Sequence, residues 1–136
     1  MFSVAKILGG RQNVPETLEL PVTAGTAYSV GEALVLTAGK LTAASGDVDV
    51  KYISLENYTA PDSGARRLKC FRVLPDMLFE VPLSAYAATV VPGAKVTIGS
   101  GGLTVTATAV TDAFGAEIVD ANGAAAKDDT VFVVLR

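Results

Sequence analysis

Cys70 is the only cysteine of the chain and stands in the run Arg67-Leu68-Lys69-Cys70-Phe71-Arg72, beside cations able to lower a thiol's pKa. Thiolate chemistry at neutral pH most often recruits a histidine as well, and the sequence has none. At strand spacing Lys69 points to the face opposite Cys70, so Cys70 reads as a packed thiol rather than a nucleophile. The lack of histidine also removes the usual Ser-His-Asp and zinc constellations. Two carboxylate pairs, Asp47 with Asp49 and Asp128 with Asp129, lack the spaced oxygen ligands of a calcium loop and read as solvated turn acids. The Gly99-Ser100-Gly101-Gly102 run joins two strand-like segments, with no helix N-terminus to receive a phosphate, and reads as a hairpin tip. The expectation is a non-enzymatic protein without cofactor, metal or small-molecule substrate.

One cluster is denser than the rest. Arg66, Arg67, Lys69 and Arg72 place four of the eleven cations within seven residues, near Tyr58 and Phe71. Two explanations stand side by side. The first is a solvated strand face whose outward charges guard an edge; the second is a contact patch for an acidic protein surface, which suits the rigid donor fork of arginine. The net charge of −3 gives no general reason to gather a polyanion, so nucleic acid is not the expected partner.

The elements that must hold these residues follow from period-two alternation. In Glu16-Thr17-Leu18-Glu19-Leu20-Pro21-Val22, the residues Leu18, Leu20 and Val22 share a strand face, and Pro21 suits a sheet margin. Residues 33–36 and 40–43 form a hairpin about Ala38-Gly39. Residues 95–98 and 103–108 echo it across the longer glycine tip. The echo aligns Gly31 with Gly93, Leu34 with Val96, Leu36 with Ile98 and Leu41 with Leu103. It suggests two similar units, near residues 30–57 and 92–123.

Between the units, residues 66–83 read as two strands about Pro75-Asp76, with Leu68, Cys70 and Leu74 on one face. Asn122-Gly123 signals a type I′ turn. The final Thr130-Val131-Phe132-Val133-Val134-Leu135 is apolar on both faces and must be covered on both. The only candidate helical turn lies at residues 84–88. Short strands joined by glycine-rich turns imply an all-β fold, a small barrel or sandwich. Residues 16–136 form one β domain, preceded by an extended, flexible N-terminal arm at 1–15 without the features of a secretory signal. No window approaches the run of apolar residues that spans a bilayer, so no membrane partner is expected.

Two stretches carry a family resemblance, Gly31-Glu32-Ala33-Leu34-Val35-Leu36-Thr37-Ala38-Gly39-Lys40-Leu41 and the run from Asn57 to Ala85. With the extended arm and compact β lobes, residues 14–136 resemble the small β-rich accessory head proteins of tailed phages and prophages. The resemblance implies a capsid decoration protein of the virion head, made in the bacterial cytoplasm. It would dock on the major capsid protein, as a homo-oligomer with a trimer favoured. The arm would then add a strand to the shell, with Val4, Ile7 and Leu8 as apolar anchors. Arg66, Arg67, Lys69 and Arg72 would form the polar contact, and Met77 and Phe79, with residues 130–135, the self-association surface. A tail- or fibre-associated carbohydrate-binding module is the alternative; the absence of tryptophan and the scatter of Tyr28, Tyr52, Tyr58 and Tyr86 weaken it.

Overall fold

The computed structural model describes residues 1–7, 16–107 and 115–135, and the fold is all-β. The strands are β1 (Ser3–Ile7), β2 (Thr17–Leu20), β3 (Ala27–Tyr28), β4 (Ala33–Thr37), β5 (Lys40–Ala43), β6 (Tyr52–Ser54), β7 (Tyr58–Thr59), β8 (Leu68–Arg72), β9 (Met77–Ala85), β10 (Lys95–Ile98), β11 (Val105–Ala107), β12 (Ala116–Asp120) and β13 (Thr130–Leu135).

Strands β9, β11, β10, β12 and β13 pair in that order, and β13 returns to β9, which closes a five-stranded barrel. The length of β9 makes closure possible. One edge pairs with β13 from Leu78 to Pro82, while the far end pairs in parallel with β11 through Leu83–Val105. Alternate residues Met77, Phe79, Val81 and Leu83 fill the interior with Val131, Val133, Ile118 and Val105.

The other large sheet has the order β2-β8-β6-β4-β5, and its edges also meet. Val22, just past β2, bridges Leu41 of β5 in parallel, and Leu41 N–H donates to the Pro21 carbonyl at 2.9 Å. Leu34, Leu41, Leu68, Cys70 and Val22 line this first barrel, and the β3–β7 pair covers one end. The hydroxyl of buried Tyr28 donates to the Leu41 carbonyl at 2.7 Å and accepts from Thr23 N–H at 2.9 Å.

The two barrels have the same plan. Substituting β9 for β2, β10 for β4, β11 for β5, β12 for β6 and β13 for β8 reproduces the strand order, including the parallel closure. Turn chemistry repeats as well. Gly31 N–H donates to Ser54 O at 2.8 Å and Gly93 N–H to Ile118 O at 2.7 Å; Ser54 N–H reaches Glu32 O and Ile118 N–H reaches Ala94 O, each at 2.9 Å. Both glycines have positive φ, 75° and 86°, which their turns require. The register corrects one residue of the sequence alignment. Leu36 pairs with Leu41 and Ile98 with Val105, so the counterpart of Leu41 is Val105, not Leu103, because the second hairpin's glycine tip is longer.

The barrels share one continuous core. Ala33, Ile53 and Phe71 lie on the outer side of the first barrel and join the cluster that fills the second. Phe71 stacks on Phe79, with ring centroids 6.4 Å apart and planes 2° from parallel. The second barrel's glycine tip docks on the first: Ala33 N–H donates to Gly102 O at 2.7 Å, and Gly46 and Ile98 exchange two backbone bonds of 2.7 and 2.9 Å.

Four expectations change. The start of the chain is not a free arm: β1 pairs with Met77–Glu80 of β9, and buried Phe2 packs edge-on against Phe79 at 6.1 Å while its N–H donates to Gly31 O. Phe2 thereby straps both barrels, because an apolar ring gains more from the seam than from solvent. Residues 84 and 85 finish β9, and turns rather than a helix follow. Leu74 leaves the face of Leu68 and Cys70, since β8 ends at Arg72, and packs on the shared core instead. Finally, Met77 and Phe79 lie fully inside the second barrel, and every residue of 130–135 is buried or half-buried within the chain, so neither stretch offers a self-association surface.

Candidate docking surface

The cationic cluster sits where an exposed loop, residues 61–67, enters β8. Arg66 is held from three sides. Its guanidinium carbon lies 4.0 Å from the Tyr58 ring centroid, its Nη1 meets Glu56 Oε1 at 2.6 Å, and its backbone N–H donates to Tyr58 Oη at 3.0 Å. Glu56 Oε1 also accepts Lys69 N–H at 3.0 Å. These bonds, the Arg66 guanidinium first, hold the Glu56 carboxyl below its ordinary range. Arg67 Nη1 reaches the Glu19 carbonyl at 3.4 Å, and Glu19 lies opposite Lys69 in the β2–β8 ladder.

Arg66, Arg67 and Lys69 thus come together, interleaved with Glu56 and Glu19. The patch is a ribbon of alternating charge on a fixed aromatic base, able to match a partner with the inverse order. Glu56 was not legible as a member, since ten residues separate it from Arg66 and only the packing of β7 beside the loop joins them. Arg72 falls elsewhere, on the opposite face of β8. It lines a cleft of about 740 Å³ at the barrel seam with Glu16, Asp49, Lys51, Leu74 and Leu135. Asp49 and Lys51 form an exposed ion pair there at 2.5 Å.

Of the proposed arm anchors, Val4 is exposed on β1, Ile7 pairs through its backbone with Met77, and Leu8 lies outside the described residues. Exposed Val4 and β1's outer edge therefore form a second contact candidate.

The chemistry-bearing residues have structural partners. Cys70 is fully buried in the first barrel, and burial pushes its thiol up to about 11, so it is protonated at neutral pH. Asp129 Oδ2 accepts Ala125 N–H at 2.8 Å and Ala126 N–H at 3.0 Å, a turn-stabilising role. Glu32 lies buried at the seam, 4 % exposed, and accepts Ser29 N–H at 2.8 Å; desolvation nevertheless raises its pKa. Tyr28, Tyr52 and Tyr58 belong to the first barrel's core and its margin, and Tyr86 is exposed on its own segment, so the four rings do not assemble into a stacking platform. No protein-family model matches the sequence, and no curated protein matches it.

Proposed function

We propose that this chain is a non-enzymatic structural protein of a phage or prophage particle, a decoration protein that docks on the major capsid protein of the head. The observation that carries the reading is the joined core. Two barrels of one plan, joined through Phe71, Phe79 and Phe2, share one continuous apolar core, which favours a stiff two-lobed body. A head-stabilising protein works by holding separate shell subunits at a fixed spacing, so rigidity across two lobes is the property it needs. The resemblance of residues 14–136 to accessory head proteins supplies the partner. The ribbon of Arg66, Arg67 and Lys69 and the exposed Val4 strand are the contact candidates.

The test is co-sedimentation of the purified protein with expanded empty capsids of the phage or prophage that encodes it. Saturable binding at a fixed ratio to the capsid subunit is expected; a protein left wholly in the supernatant would remove the proposal.

A further inference from the structure

The two barrels present an apolar pair at the same place on their surfaces. Turns 29–32 and 91–94 close with equivalent bonds, Glu32 N–H to Ser29 O at 3.1 Å and Ala94 N–H to Val91 O at 3.0 Å. Each turn's glycine donates to the strand beside it, Gly31 to Ser54 O and Gly93 to Ile118 O. The next residues along those strands, Leu55 and Val119, are 42 and 41 % exposed, and the turns add Val30 and Val91, 41 and 51 % exposed. Val119 stands at a bulge between Ile118 and Asp120, which leaves it out of the ladder. Four of the eight large apolar side chains exposed among the described residues thus fall at matching places of the two barrels, which marks a contact face rather than scattered exposure.

Around these apolar centres the charges are opposite. β8 and β13 correspond through Cys70 and Val133, which pair with Ser54 and Ile118. Counted from them, Arg66 corresponds to Asp129, Arg67 to Thr130 and Lys69 to Phe132. On the first barrel, Leu55 N–H donates to Lys69 O at 3.0 Å, which sets the apolar residue beside the cationic ribbon. On the second, Asp120 follows Val119, Asp128 and Asp129 end the loop that leads into β13, and Lys127 is that loop's one cation. Thr17, which follows residues 8–15, pairs with Phe71 at the end of β8 away from Lys69. Ala116, which follows 108–114, pairs with Val96 at the end of β12 away from Val119.

We propose that this chain associates with itself head to tail. The Val30–Leu55 face of one copy, rimmed by Arg66, Arg67 and Lys69, seats on the Val91–Val119 face of the next, rimmed by Asp120, Asp128 and Asp129. An apolar centre within a polar rim of matching charge is the anatomy of a specific contact. Glu56 is already spent on Arg66 and the Lys69 N–H, so an isologous contact would bring cations to cations. Charge therefore selects the heterologous pairing, which builds a ring or a filament rather than a closed dimer. The ribbon's occupant is then a second copy, and the exposed Val4 strand stays available to the shell. The contact does not rest on the decoration reading.

The test is sedimentation velocity of the full chain from micromolar to millimolar concentration. Expected is a mass that grows past two chains at low salt and falls as salt is added. Leu55→Gln and Val119→Gln should each weaken association by about tenfold or more, since each removes one apolar side chain from the contact. Mixed in equal amounts, the two variants should form a pair that goes no further, because one intact face of each kind remains. Far-ultraviolet dichroism and the urea midpoint report folding; where either variant fails to fold, Lys69→Gln and Asp120→Asn, at exposed positions, replace the two. A monomer throughout the range, association that stops at the dimer, association unmoved by the variants, or a mixture that stays monomeric overturns the contact. Capsid co-sedimentation keeps the two readings apart. Self-association without capsid binding removes decoration alone, and capsid binding by a chain that never associates removes this contact alone.

Discussion

Replacing Phe71 with alanine tests whether the two barrels are one cooperative body. Phe71 is 8 % exposed and stacks on Phe79, so truncation removes a buried ring from the seam rather than from either barrel's interior. Phe→Ala losses in cores run to about 3–5 kcal/mol, of which the ring–ring term is about 0.5–1.5 kcal/mol. With a urea dependence of about 1.5–2 kcal/mol/M, the midpoint should fall by roughly 2 M. Phe71→Leu keeps most of the apolar volume and should lose only about 1 kcal/mol. Tyr28, Tyr52 and Tyr58 belong to the first barrel and the fourth tyrosine, Tyr86, is already exposed, so the change in tyrosine fluorescence on unfolding follows mainly that barrel while far-ultraviolet dichroism follows both. In the unaltered protein the two signals should coincide, and in Phe71→Ala the tyrosine transition should come first. Non-coincident signals in the unaltered protein, or a midpoint shift in Phe71→Ala below about 0.5 M, would refute a shared core.

Gly102→Ala should destabilise far more than Gly39→Ala in urea titrations. Both sites have positive φ, worth about 1 kcal/mol to a non-glycine residue, but a Cβ at Gly102 would also lie 2.5 Å from the Ala33 carbonyl oxygen, and at Gly39 it meets nothing within 4 Å. Cys70 should resist a disulfide reagent in the folded protein and react at the rate of barrel opening, since a buried thiol pushed up to about 11 supplies little thiolate; fast labelling at neutral pH would contradict its placement. Glu32, with its pKa raised by burial, keeps its proton when folded at pH values where the unfolded chain has lost it. Its contribution is therefore whole below the ordinary carboxylate range and is lost as pH rises through the folded pKa, so Glu32→Gln should flatten the decline in stability on the alkaline side of that range, measured as melting temperature against pH.

The strands were legible where one face is wet and the other dry. Leu18, Leu20 and Val22 lie on the first barrel's core side as their alternation requires, and Ala38-Gly39 and Asn122-Gly123 adopt the positive φ values their turn types demand. Reading failed where a residue's neighbours come from the other barrel. Phe71 alternates with Cys70 and looks like the wet partner of Lys69, yet it is buried because the second barrel stands against that face. Met77 and Phe79 looked surplus to a single sheet, and closure of the sheet consumed them. In the cationic patch, the arginines were visible in sequence; Glu56, which fixes Arg66, was not, because an ion pair between loop and strand leaves no periodic trace.

Local stereochemistry settled the all-β class, the turn positions and the inward face of Cys70, since each depends on alternation, on φ at a few residues, or on which face a side chain takes. Tertiary structure alone decided that the N-terminal strand is a strap across the seam, and that Ile98 is covered while Leu36 is not. The physical reason is that burial depends on which distant segments stand against a face, so two hairpins of similar sequence leave Ile98 2 % exposed and Leu36 44 % exposed.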